Sequence, residues 1–208
     1  MDLVNKLIAP HLAEKGVYLY PTMISKKGQK GGDVRFSRVA NDIEKFLKQR
    51  RDTSVTTLVD FYGIKSDWPG YEESRAATPH TEKARIMNEA THREVNRLFP
   101  ESNTERRFIP YVSMYETESL LFSAPEVLAE KLNIRQQEVI EILNQCGAPE
   151  EINDSYETKP SKRLKGLSPR FKKISTGIAI AEETGIERIR AACPLFGAWL
   201  GIMEDLAN

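Results

Sequence analysis

Residues 54–61 (SVTTLVDF) are the most strand-like run in the chain, and they constrain what can surround them. A β-branched run of this kind is typical of a strand buried on both faces, which needs helices above and below it. The flanking sequence supplies that pattern. Leu3, Val4, Leu7, Ile8 and Leu12 recur at helical spacing, predicting a helix that Gly16 ends. Residues 17–24 are rich in β-branched and aromatic side chains and predict a strand. Residues 26–32 (KKGQKGG) read as a flexible basic loop. Ser37 is then expected to cap a helix carrying Val39, Ile43, Phe46 and Leu47 on one face. A Gly-, Pro- and aromatic-rich loop at 63–71 (GIKSDWPGY) leads to Thr78 and Pro79, which open a helix running to about Leu98. Residues 108–114 predict a third strand. Helix and strand alternate through this half, the signature of a parallel α/β sheet flanked by helices.

Beyond the third strand the pattern is helical, with helices expected at 118–121, 125–132, 135–145, 161–167 and 171–183. Two short helices follow from Ile186 to the end. The sequence shows no internal repeat and no low-complexity linker, so it reads as one domain over 1–208. Residues 1–123 form the α/β core of that reading and 124–208 a helical extension. The chain opens inside a helix, whereas an α/β sheet of this type often has an earlier strand, so either that first strand is missing or the chain starts late.

Composition narrows the class. Apolar residues make up 40% and charged residues 29% of the 208, which excludes collagen, a coiled-coil rod and a wholly disordered chain. Lys plus Arg equals Asp plus Glu at 30 each, so the chain is not a uniformly basic, histone-like binder, although a local basic patch stays open. Cys146 and Cys193 lie in no metal-like spacing and read as buried small hydrophobes. No apolar run reaches the roughly 18 residues of a membrane span. The N-terminus lacks the basic start of a signal peptide, so a cytoplasmic location is expected, with no membrane partner.

Several residues could carry chemistry. Asp60 ends the buried strand, and ligands of open α/β sheets bind outside the carboxyl ends of strands. The alternative is an Asp that caps the following turn. Glu116 and Glu118 follow the third strand. Residues two apart in an extended segment point the same way, so these carboxylates and Asp60 are candidates to converge as catalytic and metal-binding groups. Such oxygens repel one another unless a cation intervenes, and Mg2+ (or Mn2+) is the hard ion that suits them. Glu118 could instead sit in a helix's first turn and favour its dipole. His11, His80 and His92 are too scattered for a metal site. No nucleotide-binding glycine loop or nucleophile elbow is present.

Charge is segregated along the chain. Residues 158–181 hold seven basic side chains and no acidic one: Lys159, Lys162, Arg163, Lys165, Arg170, Lys172 and Lys173. Residues 127–157 lean acidic. Ser161, Lys162 and Arg163 follow a proline and open a helix, so backbone N–H groups and side chains there are candidates to bind phosphate. A second basic stretch holds Lys26, Lys27, Lys30, Arg35 and Arg38. A solvated helix face is the alternative.

The segments IAPHLAEKGVYL, TTLVDFYGI with PGY, FIPYVSMYETESLLFS, PEEINDSYETKPSKRL and ERIRAACPLFGAWL resemble successive blocks of one bacterial family. It is the domain-of-unknown-function family four-two-seven-six, regarded as Toprim-like. The resemblance spans nearly the whole chain. It implies a Toprim-like fold, similar to that part of the overcoming-lysogenization-defect nucleases. It also implies Mg2+-dependent phosphodiester hydrolysis (a nuclease activity), a nucleic acid as substrate with DNA ahead of RNA, and work beside an ATPase subunit in phage defence. On this resemblance Asp60 matches the first Asp of the Toprim Asp-x-Asp pair, and Tyr62 replaces the second. Glu116 and Glu118 match the family's Glu-x-Glu block, and Lys162 and Arg163 its Ser-Lys-Arg block. Family members begin with a strand and a Val-Glu-Gly-x-Thr-Glu segment, and this sequence starts after it. A non-catalytic Toprim-like subunit that binds an ATPase or nucleic acid is the alternative. Self-association into a homo-oligomer stays open.

Overall fold

The computed structural model describes residues 2–24, 34–152 and 157–207. The basic loop expected at 26–32, with Lys26, Lys27 and Lys30, lies outside the described residues. The chain divides into two compact units, Met1–Thr22 with Met114–Asn208, and Met23–Ser113. The first unit opens as expected with helix: a π-helical turn, Val4–Ile8, runs into α1 (Ala9–Glu14). The strand expected at 17–24 is not one. These residues join neither sheet, and Tyr18 and Tyr20 are 71% and 85% exposed. Strand propensity reflects a fit to a half-buried pleated surface, and a segment that buries so little of its aromatic area has no such surface to fit.

The second unit holds the sheet structure. Its first helix, α2 (Phe36–Gln49), buries Phe36, Val39, Ala40, Ile43 and Leu47, the stripe that a 3.6-residue period makes. Ser37 lies inside this helix rather than capping it; Arg35 holds the cap position without a side-chain hydrogen bond. Next come β1 (Val55–Thr56) and β2 (Val59–Asp60), then α3 (Tyr71–Arg75), α4 (His80–Leu98) and α5 (Thr104–Arg107). β3 (Phe108–Ile109) pairs in parallel with β1, and β4 (Val112–Ser113) in parallel with β2. The two expected strands are thus one parallel pairing broken in the middle. Pro110 has no N–H to donate there. The Thr57 hydroxyl takes over by accepting from Tyr111 N at 3.2 Å. Helix α4 packs on β3 and β4, and α2 on β1. The loop before α3 is pinned to α4: buried Trp68 donates its indole N–H to Thr91 Oγ1 at 2.8 Å. Gly70 sits at φ +78°, where a Cβ would lie 2.8 Å from that of Ala90. Both constraints demand glycine.

The rest of the first unit is helical. A 3-10 helix, Thr117–Ser123, leads to α6 (Pro125–Leu132), α7 (Gln136–Cys146), α8 (Pro160–Leu167), α9 (Thr176–Thr184), α10 (Ile186–Ala192) and α11 (Pro194–Glu204). The helix expected over 171–183 starts only at Thr176, because Phe171 turns into the core with Phe122, Leu128, Leu164 and Ile180. His11 links α1 to α11 through Glu204, Nε2 to Oε1 at 2.5 Å. Among the described residues no helix is long and apolar enough to cross a membrane.

One buried cation closes the second unit. Arg107, at the end of α5, donates to the carbonyls of Thr53 (2.8 Å), Ser102 (2.9 Å), Leu47 (3.3 Å) and Arg50 (2.5 Å). Leu47 lies in the last turn of α2 and Arg50 just beyond it, so the charge meets the negative end of the helix dipole. Only the planar fork of an arginine serves so many acceptors at once. Arg107→Ala is expected to destabilise the protein by about 3 kcal/mol, since buried acceptors of a charged donor lose their partner. Arg107→Lys should recover less than half of that, as read from urea midpoints. Full recovery by lysine would show that charge alone matters.

Candidate functional site

In the first unit, two of the acidic residues singled out by the sequence fall on two lysines of the acid-free basic segment. Glu116 precedes the 3-10 helix in extended conformation and is 7% exposed. Its Oε1 accepts from Lys159 Nζ at 2.9 Å, and its Oε2 accepts from the backbone N–H of Ser161 at 2.9 Å. Pro160 occupies the first position of α8 and Lys159 the cap, with no side-chain hydrogen bond from the cap itself. The Ser161 N–H is one of the donors that a helix start leaves without a partner. A carboxylate 45 residues away in sequence fills it. The phosphate acceptor expected at this helix start is therefore matched by an internal anion. Of the other two residues of that trio, Lys162 is exposed and pairs with Glu157 at 3.4 Å, while Arg163 donates to the Thr158 carbonyl at 2.7 Å.

Glu118 lies in the first turn of the 3-10 helix and is 3% exposed. It forms an ion pair with Lys173. Neither of its oxygens accepts a hydrogen bond of ordinary geometry among the described residues. The contact is thus one of charge against charge, between a buried carboxylate and a lysine whose stem is solvent-exposed.

Asp60 belongs to the second unit. It closes β2, is half-buried, and pairs in register with Ser113 of β4. It also stands at the cap position of a 3-10 turn, Phe61–Gly63, without a side-chain capping hydrogen bond. Tyr62 is half-buried in the same turn. Among the described residues no group of three or more His, Cys, Asp and Glu side chains gathers as a metal site.

One functional-looking residue escaped sequence reasoning. Glu150 is 1% exposed, and its two oxygens accept from Leu195 N and Phe196 N, both at 2.9 Å. It does for α11 what Glu116 does for α8, and α11 also starts with a proline. The available signal was the proline at each helix start without a Ser, Thr, Asp or Asn before it; the distant partner had no local signal. Both cysteines are free thiols. Cys193 is pushed up to about 12 by burial, opposed by a Ser123 hydrogen bond and reinforced by the Glu150 charge, so it is no nucleophile at neutral pH.

The Glu116 cluster makes stability depend on acid. Burial alone would raise its carboxyl, but the Lys159 hydrogen bond, the Ser161 N–H and hydroxyl, and the Lys159 charge outweigh burial and hold it below the usual 4.5. The unfolded chain takes up this proton first as pH falls. The contribution is therefore whole above the ordinary value and is lost as pH drops through the lower folded one. Glu116→Gln is expected to cost about 3 kcal/mol at neutral pH, because it removes the buried charge that accepts from Lys159 and from the Ser161 N–H. In urea melts the gap to wild type should narrow as the buffer is taken below about pH 4. A gap that stays constant with pH would remove ionised Glu116 as its source.

No curated protein and no solved structure matches this chain. A family model described as "Domain of unknown function (DUF4276)" matches residues 2–204. That match takes in Asp60, the Glu116 and Glu118 pair, Glu150 and the whole basic segment, and the chain belongs to this family.

Proposed function

We propose that this chain is a Toprim-like, Mg2+-dependent nuclease unit acting on a nucleic-acid phosphodiester, with Asp60, Glu116 and Glu118 as its metal-binding carboxylates. The observation that carries the reading is the register of the second unit. Asp60 closes β2 opposite Ser113, and from Ser113 the chain runs three residues to Glu116 and five to Glu118. Asp60 thus stands at the carboxyl end of a paired parallel strand, where α/β sheets bind ligands, and Glu116 and Glu118 follow the partner strand in sequence. The donor set suits the ion in part. Glu118 offers two buried hard oxygens that accept no ordinary hydrogen bond. Glu116 has both oxygens committed, and must give up Lys159 or Ser161 to join. Bound Mg2+ would supply an activated water and stabilise charge on the leaving oxygen. The chain's own part is to hold the carboxylates in place and to position the phosphate with Lys162, Arg163 and their neighbours on the basic segment. An ATPase partner and a role in phage defence, in the cytoplasm, go with this reading.

A second reading is favoured by the same Glu116. A carboxylate that closes a helix start has a complete structural role, as expected of a Toprim-like subunit that binds an ATPase or nucleic acid without cutting it. The two readings separate in one assay. The purified chain is incubated with supercoiled plasmid and with labelled single strands, with Mg2+, with Mn2+, and with chelator. The first reading expects metal-dependent nicking that Asp60→Asn lowers by at least about a hundredfold, the scale of losing a metal-binding group. Strand binding with no cleavage under any metal supports the second.

A further inference from the structure

The loop between α8 and α9 has a construction that neither helix explains. Residues 168–175 (SPRFKKIS) present Arg170, Lys172, Lys173 and Ile174 at the surface, with Ile174 73% exposed. An apolar side chain left this bare, directly after Lys172 and Lys173, adds little to the protein's own core. The loop is nevertheless built firmly from beneath. Phe171 is buried, and its N–H donates to the Ser168 carbonyl at 2.9 Å. Lys165 reaches back to the Phe171 carbonyl. The Lys172 carbonyl accepts from Thr176 N at 2.9 Å and Gly177 N at 3.1 Å. The result is a fixed projection carrying cations and one apolar tip.

We infer that this loop is the surface on which the unit holds single-stranded nucleic acid. The inference rests on the nucleic-acid reading above, in either its cutting or its non-cutting form. It extends the phosphate contacts from Lys162 and Arg163 at the start of α8, where Glu116 already fills the Ser161 N–H, to the loop that follows. Cations on a preformed loop meet successive phosphates. Ile174 next to them meets a base face, which a single strand exposes and a stacked duplex hides. Lys173 belongs to the same row and pairs with the buried Glu118 carboxylate.

The test is a titration of labelled oligothymidylate in chelator, where no cleavage occurs, at a series of salt concentrations. A failure of the cutting reading therefore leaves the result interpretable. Arg170→Glu with Lys172→Glu is expected to lower affinity at least about tenfold and to flatten the log–log salt slope by about 1.4, at about 0.7 per lost phosphate contact. Both residues are exposed, so the melting curve should not move. Ile174→Ala should weaken single-strand binding while leaving the salt slope in place. An affinity untouched by the Arg170 and Lys172 reversal overturns the inference. So does equal or stronger binding of duplex, and so does binding confined to anionic vesicles (phosphatidylserine in phosphatidylcholine).

Discussion

Two buried carboxylates, each set against the start of a proline-led helix, organise the first unit. A helix that begins with proline loses one orphan N–H at its first position but still leaves the next ones to be met. Here the capping residues, Lys159 and Cys193, make no side-chain hydrogen bond to the helices they precede. Glu116 reaches Ser161 N from 45 residues away, and Glu150 reaches Leu195 N and Phe196 N from about the same separation. Burying a carboxylate is costly unless hydrogen bonds and opposing charge offset it. Two N–H donors and the positive end of a helix dipole do this for Glu150; one N–H and Lys159 do it for Glu116. Since each acid sits on one element and each donor on another, satisfying the charge fixes where α8 and α11 dock. The second unit uses the opposite sign in the same way, with the Arg107 guanidinium against carbonyls at the end of α2.

This solution bears directly on chemistry. A carboxylate that closes a helix start is ionised and rigid, which a metal ligand must be, yet its lone pairs are already in use. Glu116 and Glu118 differ in this respect although they are two residues apart. Glu116 is bound by directed hydrogen bonds, which a competing ion would have to break. Glu118 is held by the charge of one exposed lysine, whose long side chain can leave without disturbing the core.

What was legible in the sequence follows from the range of each interaction. Apolar periodicity is local, and α2, α4, α6 and α7 lie close to where it puts them. The β-branched run and its partner were legible as strands, and they do pair in parallel. The break at Pro110 was visible as a missing donor, but its repair by the Thr57 hydroxyl was not. Residues 17–24 misled because their composition suits a strand while Tyr18 and Tyr20 stay in solvent. The late start of α9 reflects Phe171: helical spacing accommodates it, but the core takes it in a loop. At the candidate site, the residue types were legible and their partners were not. Nothing near Glu116 announces Ser161, and nothing near Glu150 announces Phe196.

The same point governs how the segregated charge should be understood. Along the sequence, residues 158–181 form an acid-free block, which read alone suggests a uniform basic face. In the fold, Lys159 and Lys173 turn to the Glu116 and Glu118 carboxylates, and Lys165 turns to the carbonyls of its own loop. The block is therefore divided between cations that hold the unit together and cations that face solvent. Arg170 and Lys172 are in the second group, on the projection that also exposes Ile174. The field of the block outside the protein is therefore weaker than its seven basic residues alone would give, since two of them are balanced by buried carboxylates.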